Sequence, residues 1–114
     1  MFRRVCVAAA ATLMLAGMAY ADPLEGNWKT QSGSTAEINN CGGSFCITLK
    51  TGPHAGKKIG TFKSSGGGKY AGQITDPATD KTYSGKASVS GSSLSMAGCV
   101  LGGLICKSQT WSKL

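Results

Sequence analysis

The stretch "CVLGGLIC", Cys99 to Cys106, is nearly a mirror image of itself about a Gly-Gly centre. If Gly102 and Gly103 are the two turn residues of a tight hairpin, they supply the positive φ that such a turn needs. Leu101 then faces Leu104, Val100 faces Ile105, and Cys99 faces Cys106. Directly opposed residues of antiparallel strands have Cα atoms about 4.5–5.5 Å apart, a span that a disulfide bridges. The stretch therefore predicts two antiparallel strands, a turn between them and a covalent staple across them.

The same logic applies to "CGGSFC", Cys41 to Cys46, where a four-residue loop from Gly42 to Phe45 sets Cys41 opposite Cys46. An even number of cysteines in a small exported domain points to disulfides. The reading preferred here is 41–46 with 99–106; crossed connectivities are the alternatives. A metal site built from all four cysteines fits poorly, because the spacings are C-x4-C and C-x6-C rather than the C-x2-C of strong zinc sites. Bridges that close such short loops gain little chain entropy, so they pin hairpins rather than hold a fold together.

Outward from the two hairpins, the chain repeats one theme. Glycine breaks it at short intervals, and no stretch after residue 21 carries a helical period. Segments of β-type composition alternate with turn residues. Strands are expected near 26–31, 35–40, 45–51, 58–63, 69–75, 82–90, 93–99 and 105–113. Phe45, Ile47 and Leu49 fall on one face of their strand, as do Tyr83, Ala87 and Val89 with Gly85 between them. Eight short strands joined in order by tight turns predict an all-β fold, an eight-stranded antiparallel up-and-down β-barrel, since closure removes the exposed edges of a meander. Eight strands enclose a space that side chains or one small ligand can fill. The apolar complement is thin for a domain of this size.

The N-terminus reads as a secretory signal over residues 1–21: Arg3 and Arg4, an apolar run, then Ala19-Tyr20-Ala21 as cleavage site. The apolar run is shorter than the roughly 20 residues a membrane span needs, so no membrane span is expected. Cys6 leaves with the signal. Residues 22–114 then form a single domain in a periplasmic or secreted location. Both arginines are lost with the signal, so the formal charge of +7 falls to +5. The remaining lysines are scattered, and only Lys57-Lys58 are adjacent. Without arginine to read bases, and without aromatics interleaved among basic residues, nucleic acid is not an expected partner.

Gly26-Asn27-Trp28 stands at the start of the first strand, and Trp111 and Lys113 stand on the last. Gly-x-Trp on a first strand resembles the opening of lipocalin and calycin barrels. There the tryptophan plugs one end and a basic residue near the last strand often packs over it. The resemblance implies a structural plug formed by Gly26, Trp28, Trp111 and Lys113. A wider pattern resembles a bacterial exported family known as domain of unknown function 2147. It comprises the Gly-x-Trp, Cys41 and Cys46, "GQITDPATDKTYSGKASV" (72–89) and "LSMAGCVLGGLICKSQTW" (94–111). Family members often carry Arg two residues after the closing Trp, where this chain has Lys113; a lysine cannot stack as a planar guanidinium does. The resemblance brings no activity, substrate or catalytic residue with it.

The residues argue against an enzyme. His54 is the single histidine and reads as an exposed residue of a Gly/Pro loop. No serine sits in a Gly-x-Ser-x-Gly setting with a base to serve it. Asp76 and Asp80 read as turn residues around Asp76-Pro77 rather than as a carboxylate pair. The glycine run after Ser64 lacks the Gly-Lys-Ser/Thr ending of a phosphate loop, and the cysteines lack C-x-x-C spacing. No catalytic, cofactor or metal residue is therefore assigned. Three functions are left: a barrel that binds a small apolar ligand; a periplasmic protein-interaction module, such as a protease-inhibitor-like barrel whose N-terminal segment enters a protease cleft; and an envelope protein that binds anionic surfaces through lysine.

Overall fold

A computed structural model describes residues 22–114. The signal segment and cleavage site expected over residues 1–21 lie outside the described residues. Eight antiparallel strands form one closed barrel in sequence order: β1 Gly26–Lys29, β2 Thr35–Asn40, β3 Phe45–Leu49, β4 Lys58–Gly66, β5 Lys69–Asp76, β6 Lys81–Ser90, β7 Ser93–Val100 and β8 Ile105–Lys113. The all-β, up-and-down architecture read from the sequence is the one observed. The strands alternate as period-two chemistry requires: Phe45, Ile47 and Leu49 are buried and Cys46 and Thr48 are half-exposed, while Gly85 and Ala87 are buried between exposed neighbours.

Several boundaries differ from the sequence expectation. β1 stops at Lys29, because Thr30 turns the chain: the Thr30 amide donates to Ser34 O and the Gly33 amide to Thr30 O. β4 runs on to Gly66 through a bulge between Ser64 and Gly66, so only Gly67 and Gly68 of the glycine run make the turn. A second bulge interrupts the β3–β4 register between Ile47 and Thr48. It leaves Ile59 as the extra residue, and Ile59 and Gly60 are buried in succession. Such a bulge bends its strand, which helps a small barrel to close.

The seam of the barrel is short. β1 pairs with β8 only at Trp28↔Lys113 and Lys29↔Ser112. Backbone and side-chain bonds extend it, from the Leu114 amide to Asn27 O at 3.0 Å and from the Thr110 amide to the Gln31 side chain at 3.2 Å. Both cysteine pairs are bridged as the hairpin geometry indicates, Cys41–Cys46 and Cys99–Cys106. The second sits between opposed strand residues, with Val100↔Ile105 beyond it. The ladder ends there, one pair short of the tight hairpin expected. Leu101 takes φ +54°, Leu104 is in the helical region, and the turn closes through the Leu104 amide on Leu101 O at 3.2 Å. The leucines thus leave the ladder and project from the tip.

Candidate functional site

In an up-and-down barrel the turns alternate between two ends. The termini share one end with the β2–β3, β4–β5 and β6–β7 turns; the β1–β2, β3–β4, β5–β6 and β7–β8 connections make the other. The terminal end is filled. Trp28 and Leu24 are fully buried, and the indole Nε1–H of Trp28 donates to Leu24 O at 2.9 Å. The Lys113 ammonium lies 4.7 Å from the centroid of the Trp28 ring and donates to Glu25 O at 2.7 Å. Gly26 has φ +127°, and a Cβ placed there would come within 2.9 Å of Lys113 Nζ. The glycine of Gly-x-Trp is therefore needed twice, for a backbone conformation closed to other residues and for the passage of the lysine. Trp111 is buried in the same apolar cluster, and its Nε1–H donates to Gln109 Oε1.

The N-terminal segment is tied to this end as well. The Tyr70 hydroxyl donates to the Asp22 carboxylate, which also accepts from the Leu24 amide. Burial, then the bond to Asp22 and its charge, push the Tyr70 hydroxyl well above the usual tyrosine range.

The opposite end is open. A cavity of about 460 Å³ enters the barrel there; its walls include Ile59, Ile74, Tyr83, Met96, Val100, Ile105 and Trp111. Of these, Ile59, Met96 and Trp111 are buried. The register sets three glycines side by side next to the cavity. Phe62, Gly72, Gly85, Gly98 and Lys107 are partners across five successive strands. Three glycines in that row leave one belt of the barrel without inward side chains. The Phe62 ring lies across part of it, since a Cβ on Gly85 would meet the ring at 2.6 Å. A Cβ on Gly72 would run into Thr61 O of β4, and one on Gly98 would press on Ile74 Cγ2 at 3.2 Å and touch Tyr83 at 3.5 Å. The cavity opens beside Gly98.

Polar groups are few around this cavity. Lys107, opposite Gly98, brings an ammonium to its wall, and Thr75, Asp76 and Gln109 complete the polar lining. Lys107 forms no ion pair among the described residues. Asp76 is engaged in the β5–β6 turn, where its carboxylate accepts from the Ala78 amide at 2.9 Å and its carbonyl from the Asp80 amide at 2.7 Å. Asp80 pairs with Lys57 at 3.1 Å. The two aspartates are thus turn residues, as the sequence suggested. His54 lies in the β3–β4 loop and is half-buried rather than exposed. No group of three or more metal-binding side chains occurs among the described residues.

The sequence reading missed the cavity-lining role of Gly98 and Lys107 and the projection of Leu101 and Leu104. One signal was available. Four apolar residues flank the Gly-Gly turn, where a solvent-exposed hairpin would carry polar ones.

The fold and these two ends define a small disulfide-stapled barrel, capped with side chains at its terminal end and hollow at the other. The chain belongs to the family described as "uncharacterized protein conserved in bacteria", domain of unknown function 2147, which it matches over residues 26–113. No curated protein and no solved structure matches it. No helix among the described residues is long and apolar enough to cross a membrane.

Proposed function

We propose that this chain is an exported, non-enzymatic, lipocalin-like binding protein that holds one small, mostly apolar ligand in the hollow end of its barrel. The observation that carries the reading is the cavity of about 460 Å³ between apolar walls at the open end of the barrel, with Gly98 in its lining. Small-molecule sites are concave, mainly apolar and provided with a few polar groups that orient the ligand. Lys107 is the cation beside this one, so the ligand's polar end is an acid or another hydrogen-bond acceptor. Two local disulfides suit an oxidising compartment. The protease-inhibitor alternative loses support from the N-terminal segment, because a segment held by Leu24, Trp28 and the Asp22–Tyr70 bond is not free to enter a cleft.

The test uses the apolar fluorophore N-phenyl-naphthylamine. Wild type should bind it saturably at one site. Gly98→Val, which puts a branched side chain into the cavity, should weaken binding at least about tenfold, with melting followed in parallel. Equal affinity in the two proteins, or no saturable binding, would dismiss the reading. Native mass spectrometry of protein taken from the periplasm should show added mass from a retained ligand.

A further inference from the structure

The tip of the β7–β8 hairpin is built in a way that a soluble barrel does not require. Among the described residues the large exposed apolar side chains are Val100, Leu101, Leu104, Ile105 and the C-terminal Leu114. Four of these five share one tip, and Leu104 there is 84% exposed. Single exposed apolar residues are ordinary, but a contiguous cluster marks a contact surface. The tip is also braced: the Cys99–Cys106 bridge lies immediately behind Val100 and Ile105. Bracing keeps the four side chains presented together instead of letting them collapse onto the barrel.

The surroundings of the tip identify what it meets. It lies at the hollow end, and Val100 and Ile105 belong both to the tip and to the cavity wall. Lys58 and Lys81 open β4 and β6 at that same end, and Lys107 stands two residues from Ile105. All three are exposed and form no ion pair among the described residues. The acids nearby, Asp76 and Asp80, are occupied by the β5–β6 turn and by Lys57. An exposed apolar cluster with free ammonium groups at the same end of the barrel fits an anionic lipid surface, with side chains among the acyl chains and lysines at the headgroups.

We propose that the β7–β8 tip docks on anionic lipid bilayers and sets the mouth of the cavity against the membrane. The docking deepens the ligand reading, because a mouth held at a bilayer would take its apolar ligand from the lipid phase. The contact itself does not need an occupied cavity.

The experiment is flotation of the full chain, disulfides intact, with two kinds of vesicle: phosphatidylethanolamine with phosphatidylglycerol, and phosphatidylcholine alone. Wild type should float with the anionic vesicles and much less with the neutral ones. Leu101→Ser/Leu104→Ser should lower partitioning at least about tenfold without moving the melting temperature. In Leu104→Trp, emission should shift to the blue on anionic vesicles and be quenched by brominated acyl chains, beyond any change in wild type. Failure of wild type to float would overturn the proposal. So would flotation that the serine variant retains in full, since binding would then be by charge alone. Concentration-dependent self-association without lipid, abolished in the serine variant, would make the tip a contact between copies and would also overturn it. A protein that floats but takes up no fluorophore would keep the docking and lose the ligand reading; the reverse result would do the opposite.

Discussion

The two ends of the barrel use the same kinds of residue for opposite purposes. At the terminal end an indole, a leucine and a lysine are brought together and covered. Trp28 and Leu24 are fully buried, and Lys113 spends its ammonium on Trp28 and on carbonyls of the entering chain. At the hollow end the leucines face solvent and Lys107 has no carboxylate partner among the described residues. A thin supply of large apolar side chains explains the division. One end is packed well enough to hold the short β1–β8 seam, and the other holds the cavity to which the proposed function assigns binding. Truncations of packed side chains at the terminal end should therefore act on stability, and changes of the exposed side chains at the hollow end on ligand or surface binding.

The strongest way to break this comparison is Trp28→Ala. Truncating a buried tryptophan costs about 3–5 kcal/mol, against a total of about 5–15 kcal/mol for small domains. The melting temperature should fall by more than about 10 °C. A variant that melts within a degree or two of wild type would show that the terminal end does not hold the seam.

The two disulfides sharpen it next, because each staples a different end. Cys41–Cys46 sits at the β2–β3 turn of the filled end and Cys99–Cys106 at the hollow end. Loops this short give about 2 kcal/mol each on chain-entropy grounds. Replacing either pair by serine should lower stability by a similar amount. Only loss of 99–106 should also weaken vesicle flotation, since it alone braces the apolar tip. Equal effects on flotation from both pairs would erase the functional difference between the ends.

Tyr70 gives a smaller and pH-dependent contrast. Its hydroxyl titrates above the usual range because burial, and then Asp22, disfavour the phenolate. The sign follows from linkage. The folded state holds this proton more tightly than the unfolded chain, so the stabilisation is complete below the ordinary tyrosine value of about 10 and is lost as pH rises above it. Tyr70→Phe should cost about 1 kcal/mol near neutral pH, the worth of one hydrogen bond. It should also make the alkaline loss of stability shallower than in wild type, as measured by denaturant unfolding across pH 8 to about 11. Parallel curves would show that Asp22–Tyr70 is not coupled to folding.

What the sequence could disclose follows the reach of its interactions. Hairpins, their disulfides and the order of strands are local or nearest-neighbour facts, and Gly102-Gly103 and Cys41-Gly42-Gly43 carry them openly. Gly26-Asn27-Trp28 pointed to a covered tryptophan, and the structure puts Lys113 over it. The cavity was not legible, because Gly72, Gly85 and Gly98 look like three unrelated strand glycines until the register sets them side by side. Lys107 was likewise one lysine among many until its place opposite Gly98 was known. The leucines of the tip were read as a cross-strand pair, because a two-residue hairpin would have paired them. The positive φ at Leu101 ends the ladder earlier and turns both outward.

The smallest expected effect separates the ends most cleanly. Leu94 and Leu104 lie on the same hairpin, Leu94 near its base in the filled half and Leu104 at its tip. Leu94 is fully buried and Leu104 is 84% exposed. Leu94→Ala should cost about 2–5 kcal/mol, because it removes buried methyl groups and leaves a void behind. Leu104→Ser removes a side chain that solvent already surrounds, and surface changes of that kind stay within about 0.5 kcal/mol. Thermal unfolding of the two variants beside wild type, at low protein concentration and without lipid, measures the difference. If Leu104→Ser costs more than about 1 kcal/mol, the tip is packed against something in solution, and a second copy of the chain is the first candidate. The contrast between a filled end and a free end would then fail at the residue where it is largest. If Leu104→Ser is silent in melting and deficient in flotation, the leucine has no role in holding the barrel, and its exposure is accounted for by what the tip contacts.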